Sequence, residues 1–240
     1  MSESHIRARD LNWRADATPQ AQAVAVAGHI EAALKQAIDE RGRASLALSG
    51  GRGPELFLRE LEKSSLDWAR VTVTLVDERW VPVEHEQSNA ALILRCMPGA
   101  LQRASWVPLY RGEGLEADAD TAHRVFETLL PVDVLVLGMG ADGHTASLFP
   151  QMPGLAHYLS AECEPLCVPV PAEGERLARL SMTARMILTA RHKLLVITGE
   201  DKRRTLNRAL EEADPMSMPI EAFLSAPMDI FYSPDGAQDS

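Results

Sequence analysis

The chain is short of cysteine, which excludes a disulfide-stabilised protein. Its 240 residues include three cysteines, Cys96, Cys163 and Cys167, and an odd number without paired spacing does not build a disulfide framework. Cys163 and Cys167 stand four residues apart, but a zinc site needs two further ligands nearby, which the sequence does not offer. We therefore expect three free thiols and no metal site.

Basic charge is also scarce. Lysine and arginine number 24 against 34 aspartates and glutamates, so the formal net charge is −10 and the isoelectric point lies near 5.2. A nucleic-acid partner is not expected, because phosphate backbones select basic surfaces. A small anionic ligand would have to be attracted by local arginine and lysine side chains rather than by the protein as a whole.

Long apolar runs and a leader segment are missing as well. Residues 1–5 lack a basic segment followed by an apolar core, and no later run is long enough to span a membrane. We expect a cytoplasmic protein with no membrane contact. The hydrophobic content of 46% is sufficient for a core, and no repeat or interdomain linker is evident, so residues 1–240 are expected to form a single domain.

Strand patterns alternate with helix patterns along most of the chain. Strands are predicted at residues 44–48, 71–76, 105–109, 132–137, 166–170, 177–182, 193–198 and 228–232. Helices are predicted at residues 19–38, 55–61, 88–97, 115–129, 183–190 and 200–212. Residues 77–82 are predicted to form a charged loop. The alternation is typical of an α/β fold with a parallel-dominated, doubly wound sheet and helices on both faces.

The stretch 132–144 organises the chain, because a nearly continuous apolar strand ends there in a glycine-rich turn. Its glycines match the letters G-x-G-x-x-G, but Pro150 interrupts the segment that follows and no clear strand comes next, so a dinucleotide site is not favoured. The turn presents Asp142 and His144 just past the carboxyl end of the strand, where open α/β sheets bind ligands. His144 is the best candidate for acid–base chemistry, against the plainer alternative of a structural histidine.

Two further loops follow predicted strands. Residues 49–53, Ser-Gly-Gly-Arg-Gly, form either an ordinary turn or a phosphate site built from backbone N–H groups. Asp77, Glu78 and Arg79 form either a solvated loop or a site in which the arginine meets an anion. Neither Ser49 nor Ser147 lies in a Gly-x-Ser-x-Gly elbow, so a serine nucleophile is not favoured.

Three of these stretches resemble one known family, the 6-phosphogluconolactonases. Residues 137–150, Leu-Gly-Met-Gly-Ala-Asp-Gly-His-Thr-Ala-Ser-Leu-Phe-Pro, resemble its signature, and residues 77–82 with the Ser-Asn pair at 88–89 resemble its second signature. Ser49-Gly50-Gly51 with Pro54 resembles its phosphate loop, although arginine and glycine at 52 and 53 replace the usual serine and threonine. The resemblance runs from about residue 21 to 210.

The resemblance implies a fold related to the glucosamine-6-phosphate deaminases, and hydrolysis of 6-phosphoglucono-1,5-lactone to 6-phosphogluconate in the oxidative pentose phosphate pathway. It implies no organic cofactor and no metal. The expected partner is therefore a small sugar-phosphate lactone, bound by a monomer or a homodimer.

The resemblance also assigns roles to residues. His144 inherits the role of the base. Our own hypothesis, separate from the resemblance, is that a carboxylate, Asp142 or Glu78, holds its imidazole in the right tautomer. Arg179 and Lys202 resemble residues of the family's phosphate site. The full set of expected substrate-binding residues is Ser49, Gly50, Gly51, Arg52, Asp77, Arg79, Gly140, Arg179 and Lys202.

Two other functions fit the same pattern less well. Related deaminases carry a glutamate five residues beyond the signature histidine, whereas this chain has Phe149 there. A sugar-phosphate sensor would need an effector-reading domain, and no helix-turn-helix or basic segment is evident in the sequence.

Overall fold

The computed structural model describes residues 11–51, 53–224 and 227–235. The strands of this part of the chain are β1 (Leu11–Ala15), β2 (Ala44–Leu48), β3 (Val71–Leu75), β4 (Asp77–Arg79), β5 (Ser105–Val107), β6 (Val134–Leu137), β7 (Cys167–Val170), β8 (Arg179–Met182), β9 (His192–Thr198) and β10 (Met228–Ser233). The α-helices are α1 (Pro19–Arg41), α2 (Glu55–Leu61), α3 (Asn89–Cys96), α4 (Pro98–Arg103), α5 (Leu115–Leu129), α6 (Leu155–Tyr158), α7 (Ala184–Thr189) and α8 (Glu200–Glu212), and 3₁₀ turns occur at Trp68–Arg70 and Pro219–Phe223.

Seven of the described strands form one parallel sheet in the order β1-β10-β9-β6-β2-β3-β5, with the helices packed around it. The predicted α/β class with a doubly wound, parallel sheet is confirmed. β6 lies between β2 and β9, and all four of its residues are buried, as predicted for a central strand covered on both faces. The carboxyl end of β6 leads directly into the glycine turn.

The first helix shows how the local sequence sets the boundaries of an element. The hydroxyl of Thr18 accepts a hydrogen bond from the N–H of Ala21 (3.1 Å), and Pro19 occupies the first helical position. Gly42 ends α1 in the left-handed conformation with φ of 75°. The predicted start of this helix at residue 19 is therefore confirmed, whereas its end lies at Arg41, beyond the predicted residue 38.

The predicted charged loop at 77–82 is wrong in its first half. Residues Asp77–Arg79 form β4, which pairs antiparallel with β8, and β7 completes a second, three-stranded sheet. Asp77 and Glu78 are buried rather than solvated. Their carboxylates find hydrogen-bond donors inside the protein, so burial is tolerated there. The sequence analysis also missed β1, α4 and α6, which are short or lie at the edge of the sheet.

Three further expectations concern the cysteines, membrane-spanning helices and the number of domains. All three cysteines are buried free thiols, as predicted. Among the described residues, none of the helices combines the length and apolar character that crossing a bilayer would take. The single-domain organisation of residues 1–240 stays a prediction.

Asp133 ties the start of β6 to β2. Its Oδ2 accepts hydrogen bonds from the backbone N–H (2.8 Å) and hydroxyl (3.1 Å) of Ser45, and its Oδ1 accepts one from Arg41 Nη2 (2.7 Å). Asp133 and Ser45 are both buried. If the carboxylate were lost, the donors of Ser45 could not form replacement hydrogen bonds with water. The strand that carries the glycine turn is thus held at its origin by one carboxylate.

We expect Asp133→Asn to lower the free energy of unfolding by about 1–3 kcal/mol, because the amide places a donor where the carboxylate accepts. Urea unfolding followed by circular dichroism measures the change. The matched control is Asp39→Asn, at an exposed position on α1. Equal stability of the two variants would show that the Asp133 contacts do not hold the sheet.

Candidate active site

A cleft of about 720 Å³ opens at the carboxyl ends of β2, β6 and β9, with β4 and β8 along its side. This is the edge at which a doubly wound sheet binds its ligands. The cleft brings together most of the site residues predicted from the sequence, namely Ser49, Gly50, Gly51, Asp77, Arg79, Gly140, His144, Arg179 and Lys202. Arg52 lies outside the described residues.

His144 and Asp142 form a pair at the rim of the cleft. The imidazole Nδ1 lies 2.5 Å from Asp142 Oδ1, which also accepts a hydrogen bond from the backbone N–H of His144 (3.2 Å). Partial burial alone would raise the pKa of Asp142, but the hydrogen bonds and charge of His144 outweigh it and lower that pKa to about 2. An ionised carboxylate only accepts hydrogen bonds, so Nδ1 carries the hydrogen and Nε2 is left as the basic nitrogen.

Gly140 allows this pair to form. A Cβ atom at Gly140 would lie 2.1 Å from His144 Nδ1 and 2.5 Å from Asp142 Oδ1, so only a glycine leaves space for the two side chains. The N–H of Gly140 donates to the carbonyl of His144 (2.8 Å) and closes the turn. Of the three glycines that match the dinucleotide pattern, Gly140 is therefore the one that makes room for the His144–Asp142 pair.

Glu78, the alternative partner proposed for His144, points elsewhere. Its carboxylate accepts hydrogen bonds from the backbone N–H groups of Arg79, Asn89 and Ala90 (2.8 Å each) and from the hydroxyl of Ser88 (3.2 Å). Burial raises the pKa of Glu78, while the N–H groups of Asn89 and Ala90 act in the opposite direction. Glu78 caps α3 and fixes β4 to it, so within the described chain Asp142, not Glu78, contacts the imidazole.

Asp77 anchors a second group of side chains in the cleft. The hydroxyl of Ser147 donates to Asp77 Oδ2 (2.5 Å), and Arg179 Nη1 lies 3.7 Å from the same oxygen. Ser147 is fully buried, and its hydroxyl is engaged by this carboxylate. Burial lowers the pKa of Arg179, and the charge of Asp77 opposes this effect.

Several donors along the cleft have no partner in the described part of the chain. The Nε atoms of Arg79 and Arg179 and the hydroxyl of Ser49 are buried without a hydrogen bond there. Buried donors without a partner at the wall of a cleft favour an anionic ligand that accepts from them. Arg79 is itself held in place, because its Nη1 donates to the carbonyl of Gln87 (2.5 Å).

The loop that begins at Ser49 packs tightly against the start of α3. A Cβ atom at Gly50 would lie 1.9 Å from Oδ1 of Asn89, and Gly51 adopts a φ of 92° that disfavours other residues. The side chain of Asn89 is fixed because its Nδ2 donates to the carbonyl of Asp77 (2.8 Å). Asn89 is a site residue that the sequence analysis did not single out, although it lies in the second signature stretch.

Lys202 contributes a cation beside the glycine turn. It lies in the first turn of α8, and its Nζ donates to the carbonyl of Met139 (2.7 Å). Burial lowers the pKa of Lys202, and the neighbouring Asp142 opposes this effect. Among the residues that the structure describes, the cleft thus combines a histidine–aspartate pair with three cationic side chains in a protein of negative net charge.

Comparison with known proteins identifies close relatives. The family described as glucosamine-6-phosphate isomerases/6-phosphogluconolactonase matches residues 17–231. The 6-phosphogluconolactonase of Pseudomonas aeruginosa is 44% identical, covering 89% of this chain and 91% of that protein. The 6-phosphogluconolactonase of Pseudomonas putida is 46% identical, covering 88% of each chain.

Solved structures agree with this result. A crystal structure of a 6-phosphogluconolactonase from Shewanella baltica superposes with a TM-score of 0.86 at 35% identity, covering 94% of this chain and 98% of that one. A monomeric glucosamine-6-phosphate deaminase superposes with a TM-score of 0.73 at 18% identity, covering 92% of this chain and 97% of that one. The second likeness concerns the fold alone.

We expect Gly140→Ala to separate His144 from Asp142, because the new Cβ would overlap both side chains. The ¹⁵N resonances of the His144 ring, assigned by NMR, should lose the signature of the Nδ1–H tautomer. Gly28→Ala on the exposed face of α1, where a Cβ meets nothing within 4 Å, is the matched control. If both variants keep the wild-type ring resonances, the turn does not require a glycine at 140.

Proposed function

Since this chain belongs to the family of glucosamine-6-phosphate isomerases and 6-phosphogluconolactonases and is a lactone hydrolase, we propose that His144 is the general base with which it hydrolyses 6-phosphoglucono-1,5-lactone to 6-phosphogluconate. The reaction is the second step of the oxidative pentose phosphate pathway. The observation that carries the proposal is the hydrogen bond from His144 Nδ1 to Asp142, which leaves Nε2 free to take a proton. The cytoplasmic location and the monomeric or homodimeric state remain predictions.

The proposed reaction is a direct attack by water. His144 Nε2 accepts a proton from a water molecule as the water oxygen adds to the lactone carbonyl, and a tetrahedral oxyanion forms. The carbon–oxygen bond of the ring then breaks, and the proton held by His144 is available to the departing ring oxygen. Asp142 stabilises the imidazolium that exists between these two transfers, because its carboxylate remains ionised.

The cationic residues of the cleft suit the phosphate of this substrate. Arg79 and Arg179 carry buried Nε–H groups without partners in the described chain, and Lys202 supplies a further positive charge. A bound phosphate would fix the distant end of the sugar and so hold the carbonyl near His144. The Ser49–Gly50–Gly51 loop adds the hydroxyl of Ser49 as a further donor.

Phe149 argues against the deaminase chemistry of the same family. Its ring packs against the imidazole of His144, with 4.6 Å between the ring centroids, at the position where related deaminases carry a glutamate. A phenyl ring transfers no proton, so the shuttle that ring opening and isomerisation need is not provided there. We therefore expect no ammonia from glucosamine-6-phosphate.

We expect His144→Ala to lower kcat/KM for freshly made 6-phosphogluconolactone by about 10²–10⁴-fold, the usual contribution of a positioned base. The assay couples product formation to 6-phosphogluconate dehydrogenase and subtracts spontaneous hydrolysis. His157→Ala, at an exposed position on α6 outside the cleft, is the control and should retain wild-type rates. Wild-type rates in the His144 variant, or ammonia release from glucosamine-6-phosphate, would contradict the proposal.

The pKa of Asp142, lowered to about 2 from an ordinary 3.8, has a consequence for the pH dependence. The carboxylate contributes fully above pH 3.8, and its contribution is lost as the pH falls toward 2. Protonation of Asp142 therefore does not produce an acid limb near neutral pH in kcat/KM.

We expect Asp142→Asn to lower kcat by at least about tenfold, since an amide that donates to Nδ1 selects the wrong tautomer. The loss should be present at every pH above 3.8, because the wild-type carboxylate is ionised throughout that range. Asp120→Asn, at an exposed position on α5, is the matched control. An unchanged kcat in the Asp142 variant would show that the carboxylate does not act on the base.

A further inference from the structure

The imidazole of His144 is held in two ways, along one edge and over one face. Along the edge, Nδ1 contacts Asp142 at 2.5 Å. A single hydrogen bond fixes the position of that nitrogen but leaves the ring able to tilt about the Nδ1–Oδ1 line. Over the face, the ring of Phe149 lies 4.6 Å away between centroids at an interplanar angle of 42°, which is within the range of favourable aromatic contacts. The second contact restricts the tilt that the first one permits.

Phe149 is itself held rigidly. It is buried, with 7% of its surface exposed, and its backbone N–H contacts the sulfur of Met152 at 3.2 Å. The preceding residue, Leu148, donates its N–H to the carbonyl of Thr145 (3.1 Å). The ring is therefore part of the folded turn that begins with His144.

A guanidinium braces the same ring from the hairpin that joins β7 to β8. The Cζ atom of Arg176 lies 4.0 Å from the centroid of Phe149, a cation–π distance. Arg176 stands in a tight turn, because its N–H and carbonyl exchange hydrogen bonds of 3.0 Å with those of Glu173. Its Nη2 also contacts Glu173 Oε2 at 2.5 Å. The hairpin tip thus presents a fixed cation to the phenyl ring.

Neither Phe149 nor Arg176 lines the cleft as the described residues define it. Neither side chain is therefore placed to bind the substrate directly. Phe149 also contacts Arg179, whose Cζ lies 5.3 Å from the ring centroid, so an effect that passes through Arg179 should appear in KM and an effect that passes through His144 should appear in kcat. We propose that Phe149, braced by Arg176, is a positioning residue that fixes the plane of the His144 imidazole and so the direction in which Nε2 faces the lactone. The inference rests on the proposed function, because it requires His144 to act as the base.

The test compares replacements that keep or remove the flat ring at position 149. Phe149→Leu keeps an apolar side chain but removes the face against the imidazole, whereas Phe149→Tyr retains it. We expect Phe149→Leu to lower kcat by about tenfold or more, since a displaced base is strongly penalised, while KM changes by less than about twofold. Phe149→Tyr should restore kcat to within about threefold of the wild type.

Two matched controls separate positioning from loss of folding. Phe126→Leu makes the same change in the buried face of α5, and it should lower the urea midpoint while leaving kcat unchanged. Arg176→Gln should lower kcat severalfold at constant KM, whereas Arg124→Gln, on the exposed part of α5, should not.

The outcomes distinguish this inference from the proposed function when His144→Ala is measured in the same series. If His144→Ala is inactive but Phe149→Leu keeps wild-type kcat, the positioning role is overturned and the proposed function stands. If Phe149→Leu loses activity through KM alone, or Phe149→Tyr is as impaired as Phe149→Leu, the positioning role is also overturned. If His144→Ala retains wild-type rates, both are overturned together.

Discussion

Parallel pairing of β6 with β2 on one side and β9 on the other is the constraint from which the site follows. Strands that run in the same direction end at the same edge, so the loops after these strands meet there although they are far apart in the sequence. The His144 turn, the Ser49 loop and the start of α8 with Lys202 are brought together in this way. β4 and β8 add Asp77, Arg79 and Arg179 from a second sheet, which the parallel sheet alone would not supply.

Several buried carboxylates of this acidic protein join neighbouring elements by accepting hydrogen bonds from them. Glu78 accepts from the N–H groups at the start of α3, and Asp133 accepts from Ser45 and Arg41 at the start of β6. Asp118 similarly accepts from the indole N–H of Trp80 and the backbone N–H of Arg111. In each case the carboxylate satisfies donors that would otherwise be buried without partners.

The sequence predicted the parts of the fold that local rules govern. The start of α1 at residue 19 and the central strand in the apolar run before Gly138 are both of this kind. The sequence did not predict β4, because three consecutive charged residues are typical of a solvated loop. Only the structure shows that the hydrogen-bond donors of residues 88–90 lie close enough to bind the carboxylate of Glu78. For the site, the position of His144 after a central strand was informative. The choice between Asp142 and Glu78 required the three-dimensional structure, since both stand beside glycine- or charge-rich turns.

The absence of space at Gly140 restricts the routes by which this turn can diverge in evolution. Any side chain added there displaces the imidazole and its carboxylate partner together, so single substitutions at this position abolish the pair rather than adjust it. Position 149 offers a different route, because its side chain meets the imidazole from outside the turn. New proton-transfer chemistry on this scaffold is therefore accessible by exchanging the neighbour of the histidine while the loop that holds the histidine keeps its shape.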